Sequence, residues 1–261
     1  MSALRAALRM AWRDMRRAKG RSALIVVMIG LPVLAFTAFL TLQTTRHLDA
    51  REALPTRLGT ADALLWSVGD VADQSPSGDG WSSSGRDREP PGEDEARPLL
   101  APGSRLLPYR RGDIRYPTKD GREFVQVVEL DLRDPLTRGM YALDQGRLPA
   151  APGEVVISAA MAREGIGVGD DLPYVRKQGT VRVVGILARS HEFFSHTVVG
   201  LPGSLLPAKP ADRRWLVDQG GRPVTWEDVK RLNQAGFVVV SRAVVLDPPP
   251  DRVEPVVVET W

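Results

Sequence analysis

His191 and His196, in the stretch His191-Glu192-Phe193-Phe194-Ser195-His196, come nearest in this chain to a metal-dependent hydrolase motif. A zinc protease places its histidines at i and i+4 on one helix face, with a glutamate beside the first as general base. A spacing of five turns the second ring away by about 140° on a helix, and onto the opposite face of a strand. The pair therefore reads as loop residues. Gly165-Ile166-Gly167-Val168-Gly169 has a glycine-rich look. A phosphate cradle needs G-x-G-x-x-G at the mouth of a helix, and here the glycines serve a tight turn. Asp170-Asp171 and Glu93-Asp94-Glu95 offer adjacent carboxylates, read as turn and linker charges rather than an acid/base pair. The chain has no G-x-x-x-x-G-K-[S/T], no G-x-S-x-G and no cysteine. A P-loop, a nucleophile elbow and thiol or thiolate-metal chemistry are excluded, and no catalytic, cofactor or metal site is expected.

The elements around these residues begin with a stronger signal. Ala23 to Leu42 (ALIVVMIGLPVLAFTAFLTL) carries no charge. At 1.5 Å per residue a helix of that length spans about 30 Å, the hydrocarbon thickness of a bilayer. Its Leu, Ile, Val and Phe residues favour insertion by roughly 4–7 kcal/mol as an upper bound. Arg5, Arg9, Arg13, Arg16, Arg17, Lys19 and Arg21 precede it, against the single acid Asp14. That asymmetry holds the N-terminus in the cytoplasm and places the residues after the span outside the cell membrane. A cleaved signal peptide has an apolar core of about 7–15 residues and a small-x-small site. The core here is longer and no such site comes after it, so a retained anchor is expected. Pro32 in mid-span hints at a helix that packs in a bundle.

Charge divides the chain. Residues 1–46 carry a net +7 and residues 47–261 a net −4, which together give the overall +3. The basic character is an orientation signal, and the outer part lacks the basic patch of a nucleic-acid binder. With no disulfides, the outer part is still long enough to bury its own core.

Residues 1–22 form a basic amphipathic helix. Leu4, Leu8, Ala11, Trp12 and Met15 recur at helical spacing, with the arginines largely on other faces. Such a helix lies on the inner leaflet or docks a cytoplasmic partner, and the two are compatible. Lys19-Gly20-Arg21 is the hinge to the span at 23–42.

Residues 43–261 read as an α+β domain of short strands and a few helices. Strands are expected at Ala61–Val68, Leu106–Tyr116, Glu123–Asp131, Glu154–Ser158, Thr180–Leu187, Val198–Leu201 and Phe237–Leu246. Asp120-Gly121 suits a hairpin turn. Helices are expected at Ala159–Glu164 and Thr225–Gln234, the latter capped by Thr225 with Asp228 and stopped by Gly236. Residues 73–98 hold only Trp81 and Ala96 as apolar side chains and read as a disordered insertion.

With those elements placed, the chain resembles the N-terminal half of an FtsX-like (MacB-type) ABC transporter permease. The likeness rests on Ala6–Asp14 through Arg17, Lys19-Gly20-Arg21 and into the span. It rests next on Gly146-Arg147-Leu148-Pro149, Pro152-Gly153-Glu154-Val155-Val156-Ile157-Ser158, Gly167-Val168-Gly169-Asp170 and Val183-Val184-Gly185-Ile186, and last on Thr225–Asn233. The resemblance implies a non-enzymatic permease subunit, or its N-terminal part, without cofactors. It implies a cytoplasmic ABC ATPase subunit and a second permease copy as partners, with the outer domain moved by ATP hydrolysis for export or signalling. Family members carry three further spans after the outer domain, and this sequence ends at Trp261 without them. The face Leu4, Leu8, Trp12 and Met15 is then expected to contribute to ATPase docking. The competing readings are a stand-alone anchored binding or sensor module, and an anchored hydrolase built on His191 and His196.

Overall fold

The computed structural model describes Leu24 and residues 27–34, 36–37, 50–83, 89–118, 121–174, 179–188, 196–206 and 212–250. The chain divides into two units, Met1–Asp49 and Ala50–Trp261. In the first, the described residues between Leu24 and Thr37 are helical. All eight large apolar side chains described there, from Leu24 to Phe36, are 55–71% exposed. Helical propensity alone does not hold such a segment together in water, where apolar burial is normally what stabilises a helix. No helix among the described residues is long and apolar enough to cross a membrane. The helix expected at 1–22 and the rest of the expected 23–42 span lie outside the described residues.

Among the described residues, the second unit is built on one mixed sheet of ten strands. Along its main path the order is β12 (Phe237–Ser241), β1 (Ala63–Ser67), β11 (Arg213–Asp218), β4 (Arg105–Thr118), β5 (Gly121–Glu129), β10 (Thr197–Gly200), β7 (Glu154–Ile157), β9 (Gly179–Leu187) and β6 (Leu143–Gly146). β8 (Asp171–Tyr174) pairs with the free part of β9. The β5–β10 and β7–β9 pairs are parallel and the rest antiparallel. A small hairpin, β2 (Ala72–Gln74) with β3 (Trp81–Ser83), stands apart.

Three apolar clusters explain why many strands read as continuous apolar runs rather than alternating ones. One face of the whole sheet carries a shared cluster that includes Leu64, Val240, Leu216, Val128, Val199 and Val156. Helix α1 (Leu54–Leu58) and the 3-10 turn Pro135–Thr137 contribute Leu54, Leu58 and Leu136 to it. The opposite face is split. Leu65, Val239, Trp215 and Phe237 form one cluster on the β12–β4 half, and Val127, Val155, Val183 and Val198 form another on the β5–β9 half. Helix α2 (Glu93–Ala96) and helix α4 (Trp226–Gln234) supply Ala96, Val229 and Leu232 to the first, and helix α3 (Ala159–Arg163) supplies Met161 to the second. Phe237 is fully buried, edge-on to Trp215 at 6.2 Å. Full burial of such a ring contributes about 1.5–3 kcal/mol.

The mixed α+β architecture matches the sequence reading, as does the capping box of α4. Asp228 N–H donates to the Thr225 hydroxyl at 3.3 Å, and Thr225 N–H donates to Asp228 Oδ2 at 2.9 Å. Burial pushes the Asp228 carboxyl up, but the Thr225 and Arg231 hydrogen bonds outweigh it and hold it below the ordinary carboxylate range.

Two expectations are corrected. The 73–98 stretch is folded at its described residues, 73–83 and 89–98. Gln74, Ser75 and Ser77 are buried and hydrogen-bonded: the Ser75 and Ser77 hydroxyls lie 3.0 Å apart, and Gly80 N–H donates to Ser75 at 3.1 Å. Composition undercounts a segment whose buried polar groups find hydrogen-bond partners within the fold. The strand expected over Phe237–Leu246 ends at Ser241. There the hydroxyl accepts from Val244 N–H at 3.3 Å and starts helix α5 (Arg242–Leu246). Arg242 locks the corner by donating to the carbonyls of Ala61 at 3.0 Å and Gly59 at 2.7 Å.

Candidate functional site

The residues singled out by sequence are not brought together. Leu4, Leu8, Trp12, Met15 and His191 lie outside the described residues. His196, just before β10, has its Nε2 at 2.6 Å from Glu164 Oε1, beyond the end of α3. Asp170 accepts the Gly167 N–H at 2.7 Å, closing its turn. Asp171 pairs with Arg182 across the β8–β9 ladder at 2.7 Å. Glu95 accepts Gly92 N–H at 2.9 Å at the start of α2, and Glu93 pairs with Arg97 a turn later. Among the described residues, no group of three His, Cys, Asp or Glu is placed to hold a metal ion.

The motif that carries the sequence resemblance is a structural clasp. Glu154, first residue of β7, receives both guanidinium nitrogens of Arg147, one at 2.8 Å, and the N–H groups of Ala150 at 2.8 Å and Ala151 at 3.2 Å. The Arg147 guanidinium, then the Ala150 N–H, hold its carboxyl well down, at about 2. A carboxylate with a bidentate arginine and two backbone donors is fully engaged. Beneath it two glycines bring backbones into contact. A Cβ on Gly185 would meet Arg147 O at 2.6 Å, and one on Gly146 would meet Val184 O at 2.3 Å. Gly146 and Gly185 thus let β6 and β9 approach closely, and the Arg147–Glu154 pair ties the end of β6 to β7.

A second buried carboxylate sits where the two halves of the sheet meet. Glu129, at the end of β5, has no solvent exposure. It accepts from the N–H groups of Gly203 at 2.9 Å, Leu205 at 2.5 Å and Leu206 at 2.6 Å, and pairs with Arg110 of β4 at 2.8 Å. It ties β4, β5 and the segment after β10 into one knot, stable because the buried charge is both paired and hydrogen-bonded.

Among the described residues, a site with open space lies toward the β12 end of the sheet. A cleft of about 140 Å³ is lined by Trp66, Trp81, Arg57, Asp79 and Arg214 above an apolar floor of Leu64, Val238 and Val240. Trp66 lies two residues beyond Leu64 on β1, hence on the same face. The β2–β3 hairpin brings Trp81 against it, with ring centroids 5.1 Å apart and planes 75° apart. The Arg214 guanidinium lies 4.4 Å from the Trp66 ring centroid and 5.9 Å from that of Tyr109, a stacked cation–π arrangement. Asp212 fixes it with two bonds, at 2.7 and 2.8 Å, and Asp79 binds Arg57 at 2.5 Å. Sequence reasoning missed this cleft. Its residues come from α1, β1, β11, β12 and a hairpin read as disordered, so no local spacing announced it.

No protein-family model matches the sequence, and no curated protein matches it. Solved structures do match. The periplasmic region of MacB from Actinobacillus actinomycetemcomitans is similar over 79% of this chain and 100% of that one, with a TM-score of 0.50 and 12% identity. The extracellular domain of the noncanonic ABC-type transporter YknZ from Gram-positive bacteria is similar over 56% of this chain and 87% of that one, with a TM-score of 0.41 and 13% identity. The MacB likeness establishes the fold: the second unit has the architecture of a MacB-type periplasmic region.

Proposed function

We propose that this chain is the permease subunit, or the N-terminal part of one, of an FtsX-like ABC transporter, with its sheet domain outside the cell membrane. The observation that carries the reading is the fold. All of the MacB periplasmic region finds its counterpart here, in a chain whose sequence places an arginine-flanked apolar stretch ahead of it. The exposed apolar side chains from Leu24 to Phe36 support a lipid-facing helix. ATP hydrolysis belongs to a cytoplasmic partner, since this sequence has no P-loop. Closure of the ATPases would move the span and, through it, the outer domain, with a second permease copy alongside. The basic helix at 1–22, through Leu4, Leu8, Trp12 and Met15, is the part suited to receive that push. The Trp66–Trp81 cleft favours a second reading, an anchored binding or sensor module.

The absence of cysteine makes the topology directly testable. Ser2→Cys and Ser83→Cys are introduced singly and exposed to a membrane-impermeant maleimide in intact cells with the outer face accessible. Labelling at position 83 but at position 2 only after lysis fits the proposal. Labelling at position 2 in intact cells contradicts it.

A further inference from the structure

We propose that the cleft lined by Trp66 and Trp81, beside their edge-to-face contact, binds one ring of a neutral saccharide. The inference stands on the cleft alone and does not depend on the permease reading.

Charge comes first. The cleft presents two guanidiniums, which invites a phosphate or carboxylate ligand. Both are already matched, Arg57 by Asp79 at 2.5 Å and Arg214 by Asp212 in a bidentate pair. With each guanidinium matched by a carboxylate the rim is close to charge-neutral, so an anion gains little net attraction there and meets Asp79 and Asp212, whereas a neutral guest leaves both pairs in place. A hydroxyl group both donates and accepts. It can bond to Asp79 and to a guanidinium N–H edge without separating either pair.

Shape comes second. The indole planes stand 75° apart and make a corner over the floor of Leu64, Val238 and Val240. A pyranose has an apolar C–H face for an aromatic platform and a rim of hydroxyls for the charged edge. Pockets of this kind combine an apolar lining with a few placed polar groups. Size comes third. At about 140 Å³ the cleft is well below the roughly 300 Å³ or more of pockets for drug-sized ligands, which limits the guest to a single small ring.

The proposal is tested with the full chain in phosphatidylcholine nanodiscs, because maltoside detergents would compete. Glucose, N-acetylglucosamine and tri-N-acetylchitotriose are titrated at millimolar concentration. Binding is monitored by saturation-transfer NMR on the sugar protons and by tryptophan emission. Saturable binding of at least one sugar is expected, undiminished by inorganic phosphate or acetate, and weakened about tenfold or more in Trp81→Ala. Asp79→Ala, at a surface carboxylate outside the core, is the parallel variant should Trp81→Ala not fold, and the same weakening is expected. Binding of the trimer alone assigns the site to a ring within a glycan chain, and equal binding of the monosaccharides to a free sugar. The proposal is overturned if no sugar saturates, if phosphate displaces the sugar, or if a folded variant binds as well as the parent.

Discussion

The side-chain amide of Gln74 pairs with the backbone of Val239 as a neighbouring strand would. Val239 N–H donates to Gln74 Oε1 and Gln74 Nε2 donates to Val239 O, both at 2.7 Å. Asn233 Nδ2 supports the same oxygen at 2.7 Å from helix α4 and also bonds Phe237 O at 2.8 Å. β12 is the terminal strand on this side of the sheet. An open edge invites pairing with other chains, and here a buried glutamine occupies it.

Gln74→Leu keeps the side-chain bulk but leaves the Val239 N–H and C=O without their partner. Each buried group left unpaired costs about 1–3 kcal/mol. The variant is expected to unfold at lower denaturant concentration and to self-associate more readily, checked by chemical denaturation and light scattering. Unchanged stability would mean that water satisfies the edge.

The Glu154 carboxyl is held at about 2 against an ordinary value of 4.5. A carboxyl lowered by folding contributes stability that is fully present above its unfolded value and is lost as pH falls through the folded one. Unfolding midpoints of the parent and Glu154→Gln should therefore differ above about pH 5 and converge as the pH falls toward about 2. A gap that stays constant with pH would show that the charge on Glu154 contributes nothing.

Gly185→Ala tests the backbone contact under the clasp. Its Cβ would lie 2.6 Å from Arg147 O and 2.9 Å from Gln145 O, so β6 must move off β9. Overpacking of this kind costs about 1–3 kcal/mol. Loss of amide-exchange protection should concentrate at Arg147, whose N–H donates to Val184 O at 2.9 Å. Loss spread evenly over the sheet would contradict the local account.

In the complete membrane complex, Leu8→Ala with Trp12→Ala is expected to lower ATPase co-purification while the chain still inserts. Undiminished co-purification would exclude residues 1–22 from the docking surface.

Legibility in the sequence depends on how locally each feature is encoded. Helix α4 was legible because Thr225, Asp228 and Gly236 mark its ends within twelve residues. β1 was legible as an apolar run, β9 by its alternation, and β5 and β7 as short strands. β11 (RRWLVD) was not, because its first two residues are arginines, one of which stacks and pairs rather than burying apolar surface. β6 was not, because all four of its residues are exposed. The hairpin at 72–83 was hidden by composition, since Gln74, Ser75 and Ser77 are buried through hydrogen bonds that pattern reading counts as solvent-facing. The cleft depended on that hairpin and was lost with it. The Gly-Arg-Leu-Pro and Gly-Glu-Val motifs were visible, and the fold explains them as a clasp rather than a reactive site.

The proposed role puts this chain on the permease side of an ATP-driven complex. The most direct measurement is affinity purification of the native-length protein from its own membranes, with mass spectrometry of every partner in stoichiometric amount. A permease is expected to bring down a cytoplasmic ABC ATPase, retained through washing and released when residues 1–22 are removed. Recovery of the intact, membrane-inserted protein with no ATPase would contradict it.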